Sequence, residues 1–268
     1  MPRITLDSIL AATRTRVAAL RPHTRELERQ AAQAPPPSRP FAAALGGTTI
    51  GVIAEVKRRS PSAGAIAVDL DPVAHAAAYV RGGAVAISVL TDQAHFGGSL
   101  EDLERVVREV SCPVLRKDFI LDELQLLEAR VAGASAILLI VRAMDARRLR
   151  ELARAAHGLG LGVLVEAHNA AELDTAVAAD PTAIGVNSRD LATFTVDHAG
   201  AERLVARVPA HIPAVAESGN EGRADVERFA AAGADLVLVG TAVARAADPA
   251  TAVRHLCGVP RRGRPGAA

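Results

Sequence analysis

Tryptophan is absent from this chain, tyrosine occurs once, and aromatic residues make up 2% of it. Platforms that stack bases of single-stranded nucleic acid are therefore not expected. Charge of one sign is not in excess either. A net charge of +1 and a pI near 7.9 leave no electrostatic case for nucleic acid. Two cysteines, Cys112 and Cys257, are too few for a disulfide framework, and a reduced cytoplasmic setting fits. No apolar run approaches the roughly 18 residues of a membrane span. The N-terminus offers Arg3 but no apolar segment with a cleavage site, so no signal peptide is expected. The eight histidines are scattered, with no pair at ligand spacing on one element, and no metal site is expected.

Lysine is the most informative scarcity. Of 31 lysines and arginines only two are lysine, Lys57 and Lys117. Arginine serves wherever plain positive charge suffices, so the two lysines should stand where guanidinium will not do. Arginine cannot release a proton near neutral pH, whereas a buried lysine can be tuned to do so. The plain alternative is that two rare residues fell there by chance.

What is present is a long, half-apolar chain of 268 residues. That length suits one (β/α) barrel or two small domains. Residues from Thr5 to Ala32 carry an apolar stripe (Leu6, Ile9, Leu10, Val17, Leu20) and read as a helix, which Pro35-Pro36-Pro37 stops. After Gly46-Gly47 a rhythm sets in. Strand-like runs appear at Thr49–Val56, Ala84–Leu90, Pro113–Leu115, Ser135–Val141, Gly162–Val165, Ala183–Val186, Pro213–Ala216 and Asp235–Val239. Segments with helical spacing lie between them. Asp71-Pro72 and Asp248-Pro249 read as helix starts. Gly82-Gly83-Ala84, Ala132-Gly133-Ala134 and Ala232-Gly233-Ala234 read as helix-to-strand junctions. The expectation is an α/β fold, a (β/α)8 TIM barrel over residues 48–258 with an N-terminal helical extension over 1–47. Residues 259–268 read as a disordered tail. An open doubly wound sheet is the alternative, but no Gly-x-Gly-x-x-Gly follows the first strand.

In a barrel the working face lies at the C-terminal ends of the strands. Glu55 and Lys57 leave the first, Ser88, Thr91 and Asp92 the second, Lys117 the third and Arg142 the fourth. Glu166, Asn187, Glu217 with Ser218, and Gly240 with Thr241 leave the remaining four. Charges converging on one mouth are costly unless paired or used, which favours a catalytic cluster over separate ion pairs. Phe96, Phe119 and Phe194 fall in loops; each can anchor its loop, and together they can line a pocket for a flat aromatic ligand. Ser218-Gly219-Asn220 and Gly240-Thr241-Ala242-Val243 sit where barrels commonly hold phosphate, with Ser60 and Lys57 in reach.

Four stretches carry a resemblance: Ile53-Ala54-Glu55-Val56-Lys57-Arg58-Arg59-Ser60-Pro61-Ser62, Leu115-Arg116-Lys117-Asp118-Phe119-Ile120, Gly185-Val186-Asn187-Ser188-Arg189-Asp190-Leu191 and Ala216-Glu217-Ser218-Gly219. In these the chain resembles the indole-3-glycerol phosphate synthase family of tryptophan biosynthesis. Asn220 stands where that family usually has an apolar residue, and Gly97 where a longer polar one is common. The resemblance implies a cytoplasmic lyase that takes 1-(2-carboxyphenylamino)-1-deoxyribulose 5-phosphate and needs no cofactor, as a monomer or weak homodimer. It implies catalytic roles for Lys117, Glu166 and Lys57. It implies substrate contacts from Glu55, Asn187, Glu217, Phe96, Phe119 and Arg189, and phosphate contacts from Ser60, Ser218, Gly219, Gly240 and Thr241. An isomerase acting on phosphoribosylanthranilate and a non-catalytic phosphate sensor are the competing expectations; the first does not explain both lysines, and the second has little use for Glu55, Lys57, Lys117 and Glu166 together.

Overall fold

The computed structural model describes residues 4–37, 39–190 and 193–264. Arg3, Leu191 and the residues from Pro265 onward, all part of expectations above, lie outside them. Eight parallel strands close into a barrel: β1 (Gly51–Val56), β2 (Ala86–Leu90), β3 (Val114–Lys117), β4 (Ala136–Ile140), β5 (Gly162–Ala167), β6 (Ala183–Asn187), β7 (Ala214–Glu217) and β8 (Leu236–Val239). Each pairs with its neighbours in sequence, and β1 closes on β8 with Ile53 opposite Leu238. Helices at Pro72–Gly82, Leu100–Glu109, Glu123–Val131, Ala146–Gly158, Ala170–Val177, His198–Val205, Arg223–Ala231 and Pro249–Leu256 cover the outside. This is the TIM barrel expected.

Local chemistry accounts for the elements. Asp71 and Asp248 cap their helices, accepting from the N–H of Ala74 and Thr251, with proline next in line. Gly83, Gly133 and Gly233 have φ of 104°, 80° and 92°, the left-handed turn that ends a helix before a strand. Alternation along β1 sorts its side chains as the sequence requires. Val52, Ala54 and Val56 face the helical shell, whereas Ile53 joins an inner core with Leu115, Leu138, Leu164 and Val215. No helix among the described residues is long and apolar enough to cross a membrane.

The extension departs from the expectation in one respect. It is helical from Leu6 to Gln33, but as two α-helices, Leu6–Leu20 and Thr24–Gln33, joined by a 3-10 turn at Arg21–His23. Pro22 lies in that turn and has no N–H to continue the ladder. The extension is also part of the core: Ile9, Leu10 and Phe41 belong to the same cluster as the barrel interior. Phe41, 1% exposed, reaches the start of β5, where Gly162 leaves room that a Cβ would fill.

The tail expected to be disordered from residue 259 is ordered through Arg264. Val259 is buried and Pro260 bridges to Thr49. Arg264 donates to the carbonyls of Val208, Gly233 and Ile212 and pairs with Asp235 at 2.8 Å. Arg261 reaches Asp235 and the Thr49 carbonyl as well. Arginine density that reads as a solvated tail is here a clasp on main-chain carbonyls.

One buried ion network pins the loop after β3. Arg116 is fully enclosed; its guanidinium meets Asp118 and Glu128, each at 3.1 Å, and the carbonyl of Gln125. Asp118 takes further bonds from Thr91 and from Arg16 of the first helix. Burial works against the Asp118 charge, but Arg116 and Arg16 hold its carboxyl below the ordinary value. Arg116→Met is expected to cost about 3–5 kcal/mol, because two acids lose their buried partner. Thermal unfolding should show a midpoint lower by about 6–20 °C; an unchanged midpoint contradicts the account.

Candidate active site

A cavity of about 680 Å³ opens at the C-terminal mouth of the barrel. All fourteen residues to which the resemblance assigns a role line it, whereas Ser88 and Thr91 at the second strand exit do not. Strand pairing explains the convergence, since it sets Glu55 opposite Ser88, Ile140 opposite Glu166 and Asn187 opposite Glu217. Arg142, also at a strand exit, turns away: it pairs with Glu172 at 2.7 Å and Asp190 at 2.9 Å and does not line the cavity.

At the centre two ammonium groups meet three carboxylates. Lys57 Nζ lies 2.6 Å from Glu55 Oε1. Lys117 Nζ lies 3.4 Å from Glu217 Oε2 and 3.8 Å from Glu166 Oε2. Glu55, Glu166 and Glu217 are all buried. Burial drives Lys117 toward its neutral form, but Glu217, Glu166 and Glu55 together outweigh it and raise its pKa. Burial likewise opposes the Glu55 charge, yet Lys57 and Lys117 hold that carboxyl below its ordinary value. Glu217 goes the other way. Burial, with Glu166 and Glu55 beside it, outweighs Lys117 and pushes its carboxyl up to about 8.

That shift has a measurable sign. A carboxyl raised in the fold keeps a proton that the unfolded chain releases. The stabilisation is complete below the ordinary value of 4.5 and fades as pH rises through about 8. Glu217→Gln mimics the protonated form and escapes the fading. Its unfolding midpoint, relative to the unsubstituted protein, should therefore rise between pH 4.5 and about 8. A difference that does not vary with pH contradicts the shift.

The packing around Glu217 explains a glycine of the Gly185-Val186-Asn187 stretch. A Cβ at Gly185 would run into the Glu217 carboxylate folded across from β7. Gly240 is similar, since a Cβ there would meet the Glu55 carboxylate and lie 2.6 Å from Lys57 Nζ.

One end of the cavity is apolar. Phe96 and Phe119 stand with ring centroids 6.2 Å apart, tilted by 36°. Leu6 and Ile9 of the first helix line the same cavity. Sequence reasoning missed both as site residues: their place in an apolar stripe shows that the helix face is covered, not what covers it. Phe194 also lines the cavity, with φ at 61°, and its carbonyl accepts from Arg189 Nη1 at 3.0 Å. Asn187 Oδ1 accepts from the N–H of Arg189 at 3.0 Å.

The other end is built of loops. Ser218 and Gly219 turn through consecutive left-handed conformations, φ 65° and 70°. Gly240 starts a one-turn helix, Thr241–Ala244, that no side chain caps. A hairpin of Arg59–Ser60 with Gly64–Ala65, not foreseen from the sequence, carries Ser60 over the cavity, its hydroxyl accepting from Ala63 N–H at 3.1 Å. The two unusual residues fit without disturbing the charged groups. Asn220 is buried and ties β7 to β8, donating to the carbonyls of Ala216 and Leu238 at 3.0 and 3.1 Å. Gly97 adopts φ 69° after the turn Gln93–Phe96, and its carbonyl accepts from Arg58.

Among solved structures, the thiamine phosphate pyrophosphorylase of Pyrococcus furiosus matches with a TM-score of 0.59 at 18% identity, over 77% of this chain and 93% of that one, a likeness of fold. The indole-3-glycerol phosphate synthase of Mycolicibacterium smegmatis is 48% identical over 253 residues, 94% of this chain and 93% of its own. The indole-3-glycerol phosphate synthase 1 of Streptomyces coelicolor is 47% identical over 253 residues, 94% of each chain. The family described as indole-3-glycerol phosphate synthase matches residues 6–256. On both counts the chain belongs to the indole-3-glycerol phosphate synthase family.

Proposed function

We propose that the chain converts 1-(2-carboxyphenylamino)-1-deoxyribulose 5-phosphate into indole-3-glycerol phosphate, CO2 and water, with the work divided among the cavity residues as follows. The observation that carries the reading is the ring of Glu55, Lys57, Lys117, Glu166 and Glu217 between an apolar end and a loop-built end. The aromatic ring with its carboxyl lies at Phe96 and Phe119. The phosphate lies at Ser60, Ser218, Gly219, Gly240 and Thr241. The ribulose carbonyl is thereby held at Lys117.

The ring carbon that bears the carboxyl attacks this carbonyl. The carbonyl oxygen gains negative charge and takes a proton from the Lys117 ammonium, becoming a hydroxyl. Loss of CO2 then restores the aromatic ring. Glu166 stabilises the cationic nitrogen and moves the protons of dehydration, in which the new hydroxyl leaves as water. Lys57 balances a substrate anion and assists that departure. Glu55 and Glu217 orient the two lysines, and Asn187 and Arg189 hold the sugar. A flat ring at one end, a dianion at the other and acid–base groups between them match the substrate in order.

The test is direct. Given this substrate, the protein should produce the fluorescence of an indole; given phosphoribosylanthranilate, it should produce no isomer. Isomerisation of the second without turnover of the first would return the competing enzyme reading, and turnover of neither would return the sensor.

A further inference from the structure

Glu166 uses its two oxygens differently. Oε2 faces Lys117 Nζ at 3.8 Å, on the cavity side. Oε1 points back to His168 Nε2 at 3.4 Å. Neither Oε1 nor Nε2 has a hydrogen-bond partner among the described residues, and the His168 side chain is 3% exposed.

The far side of the imidazole is fixed. Nδ1 lies 3.1 Å from Glu172 Oε2. Glu172 also accepts from the His168 N–H, from Asn169 Nδ2 and from Arg142 Nε at 2.8, 2.6 and 2.7 Å. Burial opposes its charge, but these donors hold its carboxyl down to about 2. An ionised carboxylate only accepts, so Nδ1 carries a proton. A neutral imidazole with its proton on Nδ1 presents a bare lone pair at Nε2. That lone pair would confront the lone pairs of Glu166 Oε1, two acceptors face to face in a buried site. One proton between them resolves the conflict.

We propose that His168 is a positioning residue that shares one proton with Glu166 and thereby aims the other carboxyl oxygen at the reacting substrate. The contact of 3.4 Å shortens in the substrate complex, as catalytic hydrogen bonds do. The proposal rests on the role given to Glu166 above. During dehydration the C–O bond breaks as Oε2 removes the proton of the neighbouring carbon, whose electron pair closes the new double bond, and the shared proton passes wholly to Nε2. Oε2 gives its proton to the departing hydroxyl, water leaves, and the shared proton returns. The pair ends a turnover as it began. The charges around it are Lys117 and Glu217 beyond Glu166, Glu172 on the following helix, and Arg142, which pairs with Glu172 and Asp190. Behind His168 a second hollow of about 380 Å³ adds Asp197, Arg203 and Arg207.

Kinetics and nitrogen NMR together test this on the full chain. His168→Ala should lower kcat about 10–100-fold while KM changes less than about two-fold. His168→Gln supplies a neutral donor that cannot take up a proton; it should recover part of kcat but change the shape of its pH profile. Should His168→Ala fail to fold, Glu172→Gln makes the same test, since it leaves His168 and Glu166 in place and should depress kcat in the same direction. In protein labelled with 15N-histidine, Glu166→Gln should move the His168 ring signals. Unaltered kcat and pH profile in His168→Gln and Glu172→Gln, with ring signals that ignore Glu166→Gln, would overturn the proposal. Full turnover in Glu166→Gln would instead sink the role of Glu166, with the NMR test of the shared proton still standing.

Discussion

Replacing Lys117 by arginine is expected to lower turnover about 10²–10⁴-fold while fold and charge are kept. The cavity keeps this lysine protonated: Glu217 and Glu166 lie 3.4 and 3.8 Å from its nitrogen and outweigh its burial. It is therefore protonated at neutral pH, not tuned toward release as its rarity in the sequence suggested, and the strongly basic alkoxide that forms is what draws the proton from it. As the ring closes, the carbonyl oxygen becomes an alkoxide, and the ammonium can meet that charge and surrender the proton. A guanidinium meets the charge but keeps its protons. The variant thus separates proton transfer from electrostatics. The measurement is kcat by indole fluorescence, with the unfolding midpoint as a control for folding. Turnover near that of the unsubstituted protein would remove the acid role.

Glu166→Gln is expected to slow product formation by about 10²-fold or more, and to slow it late. The substitution keeps size and removes the charge that faces both Lys117 and His168. Ring closure and decarboxylation rely on Lys117, so CO2 should still be released; dehydration relies on Glu166, so the indole should lag behind it. A rapid-mix experiment that follows both products reads the lag. Equal slowing of CO2 and indole would assign Glu166 to the first step instead.

The sequence made the barrel legible because its signals were local. Aspartate before proline at residues 71 and 248, glycine at three helix-to-strand junctions and β-branched runs each specify a short piece of backbone. The charged cluster was legible for a further reason. A barrel gathers its strand exits, so Lys57 and Lys117 could be placed near one another without knowing any long-range contact. What stayed hidden depends on contacts between distant segments. Leu6 and Ile9 line the cavity because the first helix lies across the barrel mouth, which an apolar stripe cannot announce. Arg264 clasps carbonyls at Val208, Ile212 and Gly233, a role that an arginine-rich end conceals. The helix His198–Val205 carries a weak local signal: Asp197 caps it, but Gly200 lies in its first turn. His168 is one of eight scattered histidines in the sequence, and its contact with Glu166, two residues earlier, depends on how the backbone bends at the end of β5.

The central claim is that Lys117 supplies the proton for ring closure, the step that precedes decarboxylation. A single-turnover experiment tests it most directly, with enzyme in excess over carboxyl-labelled 1-(2-carboxyphenylamino)-1-deoxyribulose 5-phosphate and release of labelled CO2 followed in time. The account predicts rapid release by the unsubstituted protein, one CO2 for each indole formed, and essentially none by folded Lys117→Arg over the same interval. Release of CO2 by Lys117→Arg at the unsubstituted rate would contradict it.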